Sequence, residues 1–106
     1  MTERVVSIEQ ARAKLSRPWM HTALGQVDDY STYLCRFQGT YQFHRHDKDE
    51  MYLVLEGEPF IEYEDGARFN LRAGDIMVVK AGNVHRSGAD DEALVMMFKA
   101  RDLFAE

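Results

Sequence analysis

The spacing of apolar residues changes period once along this chain. In the stretch VSIEQARAKLSRPW (residues 6–19), Ile8, Ala11 and Leu15 recur at helical spacing. Ser7 with Gln10 three residues later fits a capping box. Pro18 ends the pattern, because the residue before a proline is pushed out of the helical region. So short a helix is marginal in isolation, so the pattern predicts one that packs on something else.

Beyond Pro18 the period is two. STYLCRF (31–37) places Tyr33, Cys35 and Phe37 on one face of a strand and Leu34 on the other. MYLVLEG (51–57) is apolar at both parities, which predicts a strand buried on both sides. FIEYEDGARFNL (60–71) predicts a hairpin. Ile61 and Tyr63 alternate before Asp65-Gly66, and Ala67, Phe69 and Leu71 alternate after it; that dipeptide suits a tight type I′ turn. IMVVKA (76–81) is a further strand, AGNVHRSG (81–88) a glycine-rich turn region and EALVMMFKA (92–100) a last long strand. About seven short strands after one helix predict an all-β barrel or sandwich. No repeat, linker or low-complexity segment divides residues 1–106, which predicts a single domain.

Composition narrows the classes of function. The 106 residues are 45% hydrophobic and 29% charged, as in ordinary globular chains. A net charge of -5 with no run of Lys or Arg argues against nucleic acid as a partner. MTERVVSIEQ carries no apolar signal core, and no apolar run approaches the length of a membrane helix, so a cytoplasmic location away from the membrane is the expectation. Cys35, the lone cysteine, lies in an apolar strand pattern and reads as a small buried hydrophobe.

The candidate chemistry lies in FHRHDKDE (43–50). His44 and His46 are two apart, so on a strand both imidazoles project to one face while Arg45 points away. Glu50 follows the polar excursion Asp47-Lys48-Asp49 and begins the next strand. His85 is distant in sequence, in the turn region between the last two long strands, where a barrel could return it to the other three. His21, in the irregular stretch after Pro18, has no such pattern around it. Three imidazoles and a carboxylate suit a divalent first-row metal: octahedral Fe, Mn or Ni with open positions, or Zn. An H-x-H pair alone is more readily read as polar surface than as a metal site.

The framework around these residues resembles the small single-domain cupins of the cupin 2 type, often described as mannose-6-phosphate isomerase-like. Gly39, four residues, His44-Arg45-His46, three residues, Glu50, six residues and Gly57 resemble the first cupin motif. Gly74, five residues, Lys80-Ala81-Gly82, two residues, His85, three residues and Ala89 resemble the second. Lys80 stands where that motif usually has proline and Ala89 where it has asparagine; both positions shape turns. The resemblance implies a cupin-type jelly-roll β-barrel with His44, His46, Glu50 and His85 as ligands of a divalent metal ion. Gly39, Gly57, Gly74 and Gly82 are read as strand-end glycines that permit positive φ. Tyr52 shares strand parity with Glu50; it and Tyr41 are candidate pocket-lining residues, with core packing and a bonded hydroxyl the plainer account of Tyr52.

These residues leave the catalytic groups unknown. A metal-dependent isomerase or dioxygenase acting on a small oxygen-rich molecule is one expectation, and a non-catalytic small-molecule binding or sensing module is the other. Apolar residues on both faces of the strands also predict a homodimer, which would cover the second face.

Overall fold

The computed structural model describes residues 4–101. One helix, α1 (Ile8–Ala13), precedes seven strands: β1 (His21–Val27), β2 (Tyr30–Thr40), β3 (Glu50–Glu56), β4 (Phe60–Tyr63), β5 (Arg68–Asn70), β6 (Ile76–Val79) and β7 (His85–Ala100). All pairings are antiparallel, in the order β1-β2-β7-β3-β6, with β4 joining β7 to β5. This is the jelly-roll architecture that the cupin resemblance implied, and it is all-β as the strand pattern predicted.

β7 organises the barrel. Its first residues, 85–88, pair with β4, and residues 94–99 pair with β3 on one side while β2 runs along the other. The expected strand 92–100 therefore begins seven residues earlier than its apolar pattern, at His85. The exposed acids Asp90, Asp91 and Glu92 hide the continuity, because they interrupt alternation without ending the strand.

The core has two parts. Inside the barrel pack Tyr33, Cys35, Phe37, Tyr52, Val54, Ile61, Val79, Val95 and Met97, with further neighbours. Outside it, Ala11 and Leu15 pack on Leu34 and Leu94 beneath α1. The two faces of β2 thus serve separate cores, as the parity of Tyr33, Cys35 and Phe37 against Leu34 predicted. Ser7 caps α1, its hydroxyl accepting the Gln10 N–H at 3.2 Å. The helix ends at Ala13, five residues short of Pro18, so the proline does not terminate it. Leu15 reaches the core from the turn that follows.

Three expectations are corrected. The hairpin loop is Glu64-Asp65-Gly66: the Gly66 N–H donates to the Tyr63 carbonyl and the Tyr63 N–H to the Ala67 carbonyl. Only Gly66 has positive φ (96°), so the turn is a type I turn closed by a glycine bulge, not type I′, which needs positive φ at two residues. β3 is fully buried on one face only; Met51, Leu53 and Leu55 on the other are half-buried. The stretch after Pro18 is not irregular throughout, since β1 begins at His21.

Gly39, Gly57, Gly74 and Gly82 all take positive φ. Gly57 is doubly constrained: at φ 88° a Cβ would also lie 2.8 Å from the Ala93 Cα and the Glu92 carbonyl oxygen. Backbone and bulge geometry here admit no side chain.

Candidate metal centre

His44 and His46 lie on an extended segment between β2 and β3 that forms a single bridge. The His44 N–H donates to the His85 carbonyl and the His85 N–H to that of His44, each at 2.9 Å. Alternation survives without a regular strand: His44 and His46 are buried, and Arg45 between them is exposed. The bridge also fixes His85, the first residue of β7 rather than a loop residue, against His44. Glu50 opens β3, as expected, and is buried.

The three imidazoles converge. Each offers a ring nitrogen within 4.8 Å of those of the other two, and all three are buried. The His44 Nδ1 lies 2.9 Å from the Gln42 carbonyl oxygen, and the His85 Nδ1 2.9 Å from that of Asn83. A carbonyl only accepts, so both Nδ1 atoms carry the proton and both Nε2 atoms keep a lone pair. This is how backbone carbonyls orient metal-binding histidines. The His85 Nε2 is buried and has no hydrogen-bond partner. An orphaned buried acceptor is uncommon in a folded protein, and a cation at the centre of the triad would satisfy it.

Glu50 stands beside the triad. Its Oε1 is 3.6 Å from the His46 Nε2 and 3.8 Å from the His85 Nε2. The Tyr52 hydroxyl donates to Oε1, and the Lys99 ammonium sits 3.2 Å from Oε2. Burial alone would raise the Glu50 pKa. The His85 ring beside it, the Lys99 charge and the Tyr52 hydrogen bond outweigh it and bring the pKa down to about 2. At 3.8 Å the His85 Nε2 and the Glu50 Oε1 are too far apart for a hydrogen bond. Burial also lowers the His44 pKa, the bond to Gln42 opposes it, and His85 and His46 lower it further. Glu50 is thus held ionised and His44 is pushed toward its neutral form, the protonation states a metal requires of such ligands.

His44, His46 and Glu50 line a cavity of about 120 Å³, with the fully buried His85 packed behind its wall against His44. Tyr41 and Tyr52 both line it, as the sequence suggested. Tyr52 is buried with its hydroxyl committed to Glu50, and burial holds its pKa well above the usual tyrosine range. Cys35 is also at the wall, its thiol pushed up to about 12 by burial, in keeping with an inert hydrophobe.

Several wall residues went unread in the sequence, among them His21, Trp19 and Lys99. His21, on exposed β1, lies at the mouth. Trp19 packs on Phe37 and Tyr41, with ring centroids 4.9 and 5.0 Å away. Its φ is 66°, a strained value for a bulky residue, held by a 2.6 Å hydrogen bond from its N–H to the Arg36 carbonyl. Lys99 had a legible signal: it shares strand parity with Ala93, Val95 and Met97, all buried.

Residues 34–99 match the family described as Cupin domain, well over half of the chain. The chain belongs to the cupin family. It is 38% identical over 66 residues to the uncharacterized protein YdbB of Bacillus subtilis (strain 168), a match spanning 61% of this chain and 58% of that relative's length. A cupin-2 domain containing protein of Shewanella frigidimarina NCIMB 400 superposes with a TM-score of 0.86 at 26% identity, over 92% of this cupin and 95% of that chain. Hydroquinone 1,2-dioxygenase of Sphingomonas sp. TTNP3, solved with 4-hydroxybenzoate bound, superposes at 0.68 with 19% identity, over 86% of this cupin and 68% of the enzyme; that likeness is one of fold.

The two departures from the second cupin motif have local explanations. Lys80 pairs with Asp49 at 2.8 Å, and Asp49 also accepts the Ala81 N–H, so the turn usually stiffened by proline is tied to the loop before Glu50. Ala89 is buried in the core, where a polar side chain would have to find partners.

Proposed function

We propose that this cupin binds a divalent first-row metal ion, Fe, Mn, Ni or Zn, through His44, His46, Glu50 and His85, and binds or transforms a small oxygen-rich molecule beside it. The buried, unpartnered His85 Nε2 carries this reading: two imidazoles are oriented from behind by backbone carbonyls, and the lone pairs face a shared space. A bound metal would supply Lewis-acid polarisation of a substrate carbonyl, or a redox centre if it is iron. The chain's own residues prepare that chemistry. Gln42 and Asn83 hold the tautomers, Tyr52 and Lys99 hold Glu50 ionised, and Trp19, Phe37 and Met97 restrict water. An isomerase or dioxygenase activity fits such a site. A non-catalytic binding module is the second reading, favoured by Tyr52, whose hydroxyl is committed to Glu50 rather than free as an acid or base. Metal analysis of the purified protein by mass spectrometry tests the site. One metal per chain is expected, lost on His46→Ala; unchanged metal in that variant would end the four-ligand arrangement.

A homodimer in the cytoplasm belongs to the same proposal. Among the described residues no helix is long and apolar enough to cross a membrane. The outer face of the sheet carries Ile76 (60% exposed) opposite Leu53 and Val78 (45%) opposite Met51, continued on β7 by Met96 and Phe98. A contiguous apolar face of this kind is what a second copy would cover. Gel filtration at about twice the 12.3 kDa chain mass is expected.

A further inference from the structure

We propose that the pocket selects a small anionic chelator, a 2-oxo or 2-hydroxy carboxylate, and that Lys99 is the residue that sets this preference. The inference rests on the metal reading above and deepens it.

Charge is the first ground. Among the described residues, Glu50 is the only acidic side chain in the pocket wall. Lys99 stands directly across from it in the β3–β7 register, 9% exposed, with its Nζ 3.2 Å from Oε2. The two charges cancel, so a divalent ion among the histidines would leave the pocket with a net double positive charge. Without Lys99 the carboxylate would have neutralised half of it. Buried charge left uncompensated is costly, and an anionic ligand removes that cost where a neutral polyol does not.

Size is the second. The cavity is small, about 120 Å³. That suits a carboxylate, an adjacent oxygen and a short carbon tail. Pockets that enclose drug-sized ligands are commonly about 300 Å³ or more. Trp19, Phe37, Tyr41 and Met97 make much of the wall apolar, which accommodates the tail.

The test compares pyruvate with pyruvamide, which has the same shape and no charge. Both are titrated into wild-type protein and Lys99→Met, each with metal content measured first. Calorimetry follows binding, and so does the fluorescence of Trp19, the single tryptophan. Wild type is expected to prefer pyruvate, and the preference should shrink at least about tenfold in Lys99→Met. The proteins are compared at equal metal loading, because Lys99 also pairs with the ligand Glu50. A residue that merely supports the fold would weaken metal and both ligands together. Lys99→Arg, which keeps the charge, should keep the preference within about threefold. Equal preference in wild type and Lys99→Met overturns the proposal. So does a metal-loaded wild type that binds pyruvamide as tightly as pyruvate or binds neither, whatever the variants do. A wild type that takes up no metal defeats the underlying metal reading instead, and this inference with it.

Discussion

The barrel interior and the small core beneath α1 stand on opposite sides of the same sheet and are built on different terms. Beneath α1, Leu34 and Leu94 meet Ala11 and Leu15, with apolar contacts throughout. Inside the barrel, Glu50, Lys99 and three histidines are buried among Phe37, Val54 and Met97. The first region is ordinary hydrophobic packing, and its contribution is stability. The second accepts desolvation of charged and polar groups, compensated by pairing: Glu50 with Tyr52 and Lys99, His44 and His85 with carbonyls. Apolar burial elsewhere supports a centre that adds little to folding unless something binds there.

If that contrast holds, damage to the two regions should separate metal binding from stability. The largest effect is expected from His85→Ala, which should cost about a thousandfold in metal affinity, or about 4 kcal/mol. The metal-free melting temperature should change little, because an unsatisfied buried acceptor is removed along with the ring. Metal competition assays and calorimetry check both halves.

Acid should act on the interior through Glu50. Its folded pKa of about 2 lies below the ordinary 4.5, so its ionised form stabilises the fold above pH 4.5. That contribution, on the order of 3 kcal/mol, should disappear as the pH falls from about 4.5 to about 2. Denaturant midpoints of metal-free protein across this window should fall steeply in wild type and stay flatter in Glu50→Gln. Equal slopes would remove the Glu50 pairing from the account.

Leu34→Ala should show the reverse of His85→Ala. A loss of about 2–3 kcal/mol in stability is expected, toward the low end for a leucine because the short α1 can settle into the space. Metal affinity should stay within about twofold. A large metal loss would mean that the two cores are coupled through β2. Ser7→Ala should have the smallest effect, about 0.5–1 kcal/mol at an exposed cap, read in the melting temperature.

Much of the site was legible because strand parity carries orientation. His44 and His46 two apart, Glu50 at a strand start and Tyr52 two further on all share the inward face. Lys99 was legible by the same rule but is masked by a charge that normally marks solvent. His21 and Trp19 were not legible, since neither sits in an alternating pattern and Trp19 reaches the wall through a positive φ. Neither the early start of β7 nor the glycine-bulged turn at Glu64–Gly66 could be read from apolar spacing, since both depend on pairing partners distant in sequence or on backbone angles.

By itself the sequence determined the strand parities, the cap of α1, the glycine positions and the residue types able to hold a metal, because these follow from local periodicity, backbone sterics and side-chain chemistry. Only the tertiary structure decided that His85 bridges to His44, that Lys99 faces Glu50 across β3 and β7, and that the pocket is small with an aromatic wall. Those facts depend on register between strands far apart in the chain, which no local pattern encodes.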